Sequence, residues 1–266
     1  MKLRLVFLII VNTALLFASC SPERKLASRF VKNVPKPSVL VLLPEAVFKE
    51  NLKWTVEKDS VTDTIQSALV IDNLQDKTVL DAFTLTFTNE LSKYGLTAYT
   101  DKSMEDFMKL DSSAWMINIA QIELQEYTTQ YTDNQSFFGN DFSSDFALNG
   151  INSAFWFEFN PVNGTENQLP EIMFAANDLY DKFEGRFIMD VTTGELTYQL
   201  DLDTITNQDF MNQINFTARL LAGYTFDYLM NRYVGEYYPD ADQYFRYDPF
   251  RKRLYETLDD RFVPLN

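Results

Sequence analysis

The chain has 266 residues, 46% hydrophobic and 15% aromatic, a composition that builds a packed core and argues against wholesale disorder. Its formal charge of −15 argues against nucleic acid as a partner and against extended contact with an anionic membrane surface. With no histidine and one cysteine it has no Ser-His-Asp or Cys-His catalysis, no zinc site built from His and Cys and no intramolecular disulfide, while carboxylate-only chemistry stays open as an option.

Lys2 and Arg4 precede an apolar run, residues 5–17, that ends at Ala18-Ser19-Cys20. A basic start, a short apolar stretch and small residues before a cut are the parts of a secretory signal. The run is shorter than the ~20 residues of a spanning helix. A lone cysteine is most often a small buried hydrophobe, but Cys20 stands just after the cut. It resembles the lipid-acceptor cysteine of bacterial lipoproteins, with Phe17 where Leu is usual. The resemblance implies an acylated Cys20 as the mature N-terminus and a lipid anchor. Loss of Lys2 and Arg4 with the signal would take the charge from −15 to −17. An ordinary secreted chain and an uncleaved anchor are the alternatives.

Residues 21–37 are basic and proline-punctuated and read as a tether with room for a helical turn. Residues 38–43, apolar throughout, predict a strand buried on both faces. Residues 67–71 suggest another strand. Leu80, Phe83, Phe87, Leu91 and Tyr94 recur at spacings of three and four, which predicts a helix over residues 76–94, opened by Asp76 and closed by Gly95. A short strand follows at 96–99, then a short helix at 103–110 with Met104, Phe107 and Met108 inward. Residues 114–127 are the most strand-like segment, apolar on both faces in the first half and alternating in the second.

Residues 130–149 are rich in Gly, Asn and Asp and read as a loop. Four strands are expected after it, around Phe155-Phe157-Phe159, at 171–176, around Phe187-Met189-Val191 and around Leu196-Tyr198-Leu200-Leu202. The last two are joined by the turn Thr192-Thr193-Gly194-Glu195. Thr206 with Asp209 forms a capping-box pattern that starts the longest helix, to about 232. Phe210, Ile214, Ala218, Leu221, Thr225 and Tyr228 face inward, and Gly223 marks a bend or a tight contact. The fold class read from this order is α/β (α+β), a mixed sheet with two main helices packed on it. The domain plan is a signal at 1–19, a lipid-anchored tether at 20–36, a mixed domain at 37–234 and an aromatic, acidic tail at 235–266 packed on the domain.

No catalytic, metal or cofactor residues are assigned. Asp133, Asn134, Asn140, Asp141 and Asp145 share the expected loop and offer oxygens of the type calcium takes, but without EF-hand spacing, and they read as solvated. Glu123, Glu126 and Glu158 are the carboxylates that a hydrolase reading would use; an exposed sheet face accounts for them more simply. Three Asn-x-Ser/Thr matches (at Asn134, Asn163 and Asn215) and three Asp-Ser/Thr-aliphatic matches (at Asp59, Asp63 and Asp203) are short patterns that recur by chance. In the tail, Tyr244, Phe245, Arg246, Tyr247, Phe250 and Arg251 combine the residue types favoured at interfaces and are the expected partner surface, with packing onto the domain as the competing role.

The acidic, His-free, Phe/Tyr/Asn-rich composition behind this signal resembles that of Bacteroidetes envelope lipoproteins. The layout from Val39 to Tyr127 is a buried strand, a helix ending LSKYG, a strand, then AWMINIAQIELQEY. It is similar in outline to small α/β envelope-assembly lipoproteins such as penicillin-binding-protein activators and transporter auxiliary lipoproteins. The resemblance implies a non-enzymatic binding or assembly role toward another envelope component. A carboxylate-based hydrolase or a glycan-binding lipoprotein is the alternative. Ser21-Pro22-Glu23-Arg24-Lys25 lacks the acidic run associated with surface export, which implies the periplasmic face of the outer membrane.

Overall fold

The computed structural model describes residues 21–53, 70–110, 114–137, 139–162, 171–240, 243–257 and 262–264. Cys20 and the signal lie outside them, as do the patterns at Asp59, Asp63 and Asn163. The helices are α1 (Pro22–Asn33), α2 (Asp76–Lys93), the single turn α3 (Met104–Phe107) and α4 (Asn207–Tyr237). The strands are β1 (Ser38–Leu42), β2 (Phe48–Asn51), β3 (Thr97–Tyr99), β4 (Ala114–Phe137), β5 (Asn140–Pro161), β6 (Glu171–Tyr180), β7 (Lys182–Met189), β8 (Leu196–Asp203), β9 (Tyr244–Asp248), β10 (Arg253–Thr257) and β11 (Phe262–Pro264). The fold is α+β. The main sheet runs β11-β6-β5-β4-β1-β3, with β2 beside the later part of β4. β4 pairs parallel with β1 and β2 and antiparallel with β5.

Phenylalanines make the core. Phe83 and Phe87 on α2 meet Phe155 and Phe157 on β5 at ring separations of 5.2 and 5.8 Å, and Tyr228 on α4 covers Phe159 at 4.4 Å. Each fully buried ring contributes about 2 kcal/mol. Ile117, Ile119, Ile122 and Leu124 all face this layer, although a period of two cannot carry all four inward. The register shifts between Ile119 and Gln121, so Ala120 has no cross-strand partner. This bulge resets the alternation.

α4 starts as its sequence predicts: Thr206 Oγ1 accepts from Asp209 N and the Asp209 carboxylate accepts from Thr206 N. The Thr206 hydroxyl, which donates to the same carboxylate, and then the Thr206 N–H hold the Asp209 carboxyl below the usual range. α2 ends at Gly95, where Leu96 N donates to Leu91 O. Asp76 is not its cap. Gln75 takes that place, and the Asp76 carboxylate instead accepts from Val47 N and pairs with Lys49 at 2.6 Å. The tight contact expected at Gly223 is real: a Cβ there would lie 3.0 Å from Tyr94 Oη.

Four expectations change. The tether is a helix: Ser21 caps α1, and Ala27 and Phe30 are buried against α4, with Phe30 5.6 Å from Phe226. Its C-terminal carbonyls at Phe30 and Val34 accept from Lys36 Nζ, which burial lowers in pKa. The strand expected at 67–71 is, where described, a 3₁₀ turn, Ile71–Asn73. Of Met104, Phe107 and Met108 only Phe107 is buried, because a single turn has no repeat on which to build a stripe. The loop at 130–149 is strand on both sides of a tip at Gly139.

This last change gives the molecule its shape. Beyond Glu126 and Gly150, β4 and β5 pair only with each other in the ladder and run on as a two-stranded arm of about 35 Å. The β7–β8 hairpin covers one face of it. Tyr131, Phe146 and Phe183 cluster at 4.8–5.5 Å, and Phe187 meets Phe142 and Tyr198 at 5.6 and 4.9 Å. Gln135 Nε2 donates to Gly185 O, and the Tyr198 hydroxyl donates to Asp133 Oδ2. Burial and that bond push Tyr198 up to about 12. Thr132, Asn134, Ser136, Asp141, Ser143 and Asp145 line the other face, all short and polar, which is why the alternation is faint.

Candidate functional site: an uncovered sheet face

Helices cover one face of the sheet. On the other, α3 covers only the β1 end, where Leu40, Phe107 and Ala114 pack with Tyr99 and Leu110. Among the described residues, the β7–β8 hairpin covers this face along the arm, and no helix covers it over the middle of β4, β5 and β6. Alternation along β5 and β6 places Trp156 and Phe174 there as a cross-strand pair. Their rings lie 4.5 Å apart and remain 40% and 50% exposed. Phe48, 53% exposed, pairs with Glu123 at the β2 edge. Exposed large apolar residues that gather on one face mark an interaction surface.

The polar surroundings are side-chain amides bonded to carboxylates. Asn118 donates to Glu158 at 2.9 Å, and Gln125 donates to Glu50 at 2.9 Å and to Glu123 at 2.7 Å. Toward the arm the face continues into Tyr127, whose hydroxyl shares Asp178 with Asn152 and meets the Tyr180 hydroxyl at 2.8 Å. Burial, followed by these bonds, raises Tyr127 well above the ordinary phenol range.

The three carboxylates grouped from sequence are separated. Glu123 and Glu158 are on the open face, each held by an amide. Glu126 is on the helix side and fully buried. Its Oε1 pairs with Lys53 Nζ at 2.6 Å and accepts from Asn149 Nδ2 at 3.1 Å; its Oε2 accepts from Ile71 N at 3.0 Å. Asp181, which the sequence did not flag, joins Asn149 N and Ile205 N at 2.8 Å each. This buried network ties β2, β4, β5, the end of β6 and the approach to α4 together at the base of the arm.

The acidic residues of the arm are also divided. Asp133 faces the β7–β8 hairpin, whereas Asp141 and Asp145 accept from Ser136 and Thr132 on the opposite face. Among the described residues no group of three or more acidic side chains is placed to hold a metal ion.

The six tail residues separate into core and surface. Phe245 is fully buried, with its backbone N and O both bonded to the Asn231 side chain. Tyr244 and Tyr247 pack against the core, and Tyr247 N donates to Asp227. Arg246 is half-buried. Phe250 and Arg251 stand exposed at the β9–β10 turn. α4 runs past Val234 to Tyr237, so the expected boundary at 234 falls inside a helix. Trp156 and Phe174 were missed as surface residues because each sits in an aromatic-rich run that reads as core; only the strand parity separates Trp156 from Phe155 and Phe157.

No protein-family model matches the chain, and no curated protein matches it in sequence. No helix among the described residues is long and apolar enough to cross a membrane.

Proposed function

We propose that this is a lipid-anchored envelope protein that works as a non-enzymatic binding or assembly module, docking another envelope component on the open sheet face. The observation that carries the reading is the Trp156–Phe174 pair, in tilted ring contact and half-exposed on the sheet. Aromatic anchors on a preformed surface bind at low ordering cost. The absence of histidine and the capture of each open-face carboxylate by an amide favour binding over hydrolysis. The anchor is Cys20, in the outer membrane with the domain toward the periplasm.

A photo-crosslinking amino acid at position 156 or 174, in the full chain in cells, should give a discrete adduct with one envelope protein. Trp156→Ala and Phe174→Ala should abolish capture without changing the melting temperature. Capture that survives both substitutions overturns the assignment. Glycan binding is the second reading, because Asn118, Gln121 and Glu158 lie around an exposed aromatic pair. Array binding that Trp156→Ala removes, with no protein adduct, would favour it. Acylation is tested separately by the intact mass of membrane-extracted protein, and a Cys20→Ala chain that stays wholly in the membrane fraction would count against it.

A further inference from the structure

The charge of −15 is unevenly spread. Residues 21–37 and 244–257 hold nine basic residues against three acidic ones. They form α1 and the β9–β10 hairpin, which lie side by side on α4. Arg24 reaches Leu254 O at 3.3 Å and Glu256 at 3.0 Å, while Phe30 and Tyr247 both pack on Phe226 at 5.6 Å. Two of the three acids are neutralised locally, Glu256 by Arg24 and Asp248 by Arg251 at 3.8 Å. Glu23 sits in the first turn of α1, where a negative charge suits the helix dipole.

The surplus of positive charge faces outward. With Ala27 and Phe30 buried, Lys25, Arg29 and Lys32 are the exposed cations of α1, and at 3.6 residues per turn they share an arc of about 60°. At the hairpin turn, Arg251, Lys252 and Arg253 are exposed and Phe250 is 92% exposed. Lys252 holds φ at 52°, the one non-glycine residue with positive φ among the described residues, in a place that Gly or Asn would fill at lower cost. Only Ser21, the cap of α1, separates Cys20 from the helix, a span of at most about 7 Å.

We infer that α1 and the turn at 249–253 form a membrane-docking face that lays the domain on an anionic phospholipid surface. Lys25, Arg29, Lys32, Arg251, Lys252 and Arg253 meet the lipid phosphates, and Phe250 enters the interface. Basic residues with an apolar tip beside a lipid anchor add electrostatic attraction and a shallow apolar contact that orient the domain on the surface the anchor holds. The inference rests on reading Cys20 as the anchor, and it replaces both the free tether and the expectation that net acidity keeps the domain off an anionic surface. Because α1 sits on α4, on the helix-covered side of the sheet, docking turns Trp156 and Phe174 away from the bilayer.

The test uses the full chain on vesicles of phosphatidylcholine alone and of phosphatidylcholine mixed with phosphatidylglycerol. Lysines are acetylated with a membrane-impermeant ester and read individually by mass spectrometry. On mixed vesicles Lys25, Lys32 and Lys252 should lose reactivity at least about threefold relative to Lys109 and Lys182, which lie on other surfaces. A Lys25→Gln/Arg29→Gln/Lys32→Gln variant with an unchanged melting temperature should restore reactivity at Lys252. Equal protection of all five lysines on mixed vesicles overturns the inference, as does persistent protection of Lys252 in the variant. The anchor is read apart from the face by flotation with pure phosphatidylcholine in high salt, where an acyl chain holds and screened charges do not. A chain that fails to float there but shows the lysine pattern on mixed vesicles at low salt loses the anchor and keeps the face. A chain that binds neither vesicle loses both.

Discussion

Lys53, just beyond β2, and Glu126, inside β4, form a buried ion pair at 2.6 Å. One carboxylate thus holds two separate segments, the end of β2 through Lys53 Nζ on Oε1 and the 3₁₀ turn through Ile71 N on Oε2, and Leu52 N donates to the Glu126 carbonyl at 2.8 Å. Breaking a buried pair from one side leaves an uncompensated charge and costs about 3–5 kcal/mol. Glu126→Ala should lose about that much by urea denaturation. The double variant Lys53→Met/Glu126→Gln should recover most of it, and a double variant as unstable as the single one would show that the pair is not the source of the loss.

Gly223→Ala tests the contact between α4 and α2. Helix propensity alone favours Ala by about 1 kcal/mol. Here the added methyl meets Tyr94 Oη at 3.0 Å, with Cζ at 3.8 Å. The substitution should be neutral or slightly destabilising in the native chain and should stabilise by about 1 kcal/mol in a Tyr94→Phe background. The same gain in both backgrounds would mean that the hydroxyl yields freely.

The arm has its own signature in alkali. Tyr198 titrates near 12 in the folded chain, above the ordinary phenol value of 10. A raised folded value means that its stabilisation is complete below pH 10 and is lost as the pH climbs through 12. By absorbance at the tyrosinate band, Tyr198→Phe should leave the number of groups titrating near pH 10 unchanged and remove one that titrates near pH 12. Gly185→Ala, whose Cβ would fall 1.7 Å from Tyr198 Oη, should expose the β7–β8 amides to hydrogen exchange while those of α2 and α4 stay protected.

Phe245→Ala removes a fully buried ring that is fixed between the two Asn231 bonds, and should cost about 3–5 kcal/mol by thermal or urea unfolding. Phe250→Ala, five residues away at 92% exposure, should cost less than about 0.5 kcal/mol. Equal effects at the two positions would remove the division of this hairpin into core and surface.

Much of the helical layer was legible, because Phe83, Phe87 and Leu91 on α2 and Phe210, Ile214 and Ala218 on α4 repeat their own period and Thr206 with Asp209 announces a start. The arm was not, because its apolar partners Phe183, Phe187 and Tyr198 lie forty or more residues from Tyr131 and Asp133 in sequence, and its other face is short and polar from Thr132 to Asp145. α1 was missed for a related reason. Lys25, Arg29 and Lys32 dominate its composition, and only two residues, Ala27 and Phe30, carry it into the core. Of the open face, Glu123 and Glu158 were placed correctly by alternation, but Glu126, which continues the same strand with the opposite parity, was not.

β11 is the last described segment, and Phe262, Val263 and Pro264 pair with Met173, Ile172 and Glu171 on the outer edge of β6. A chain that emerges N-terminus first therefore completes all of β6 well before anything can shield that edge. Until β11 is in place, the backbone donors and acceptors of Glu171, Ile172 and Met173 are open to a neighbouring strand, including the same stretch of another copy. Copies cut short of Phe262 should keep their core and associate edge to edge, visible as dimers in size-exclusion chromatography.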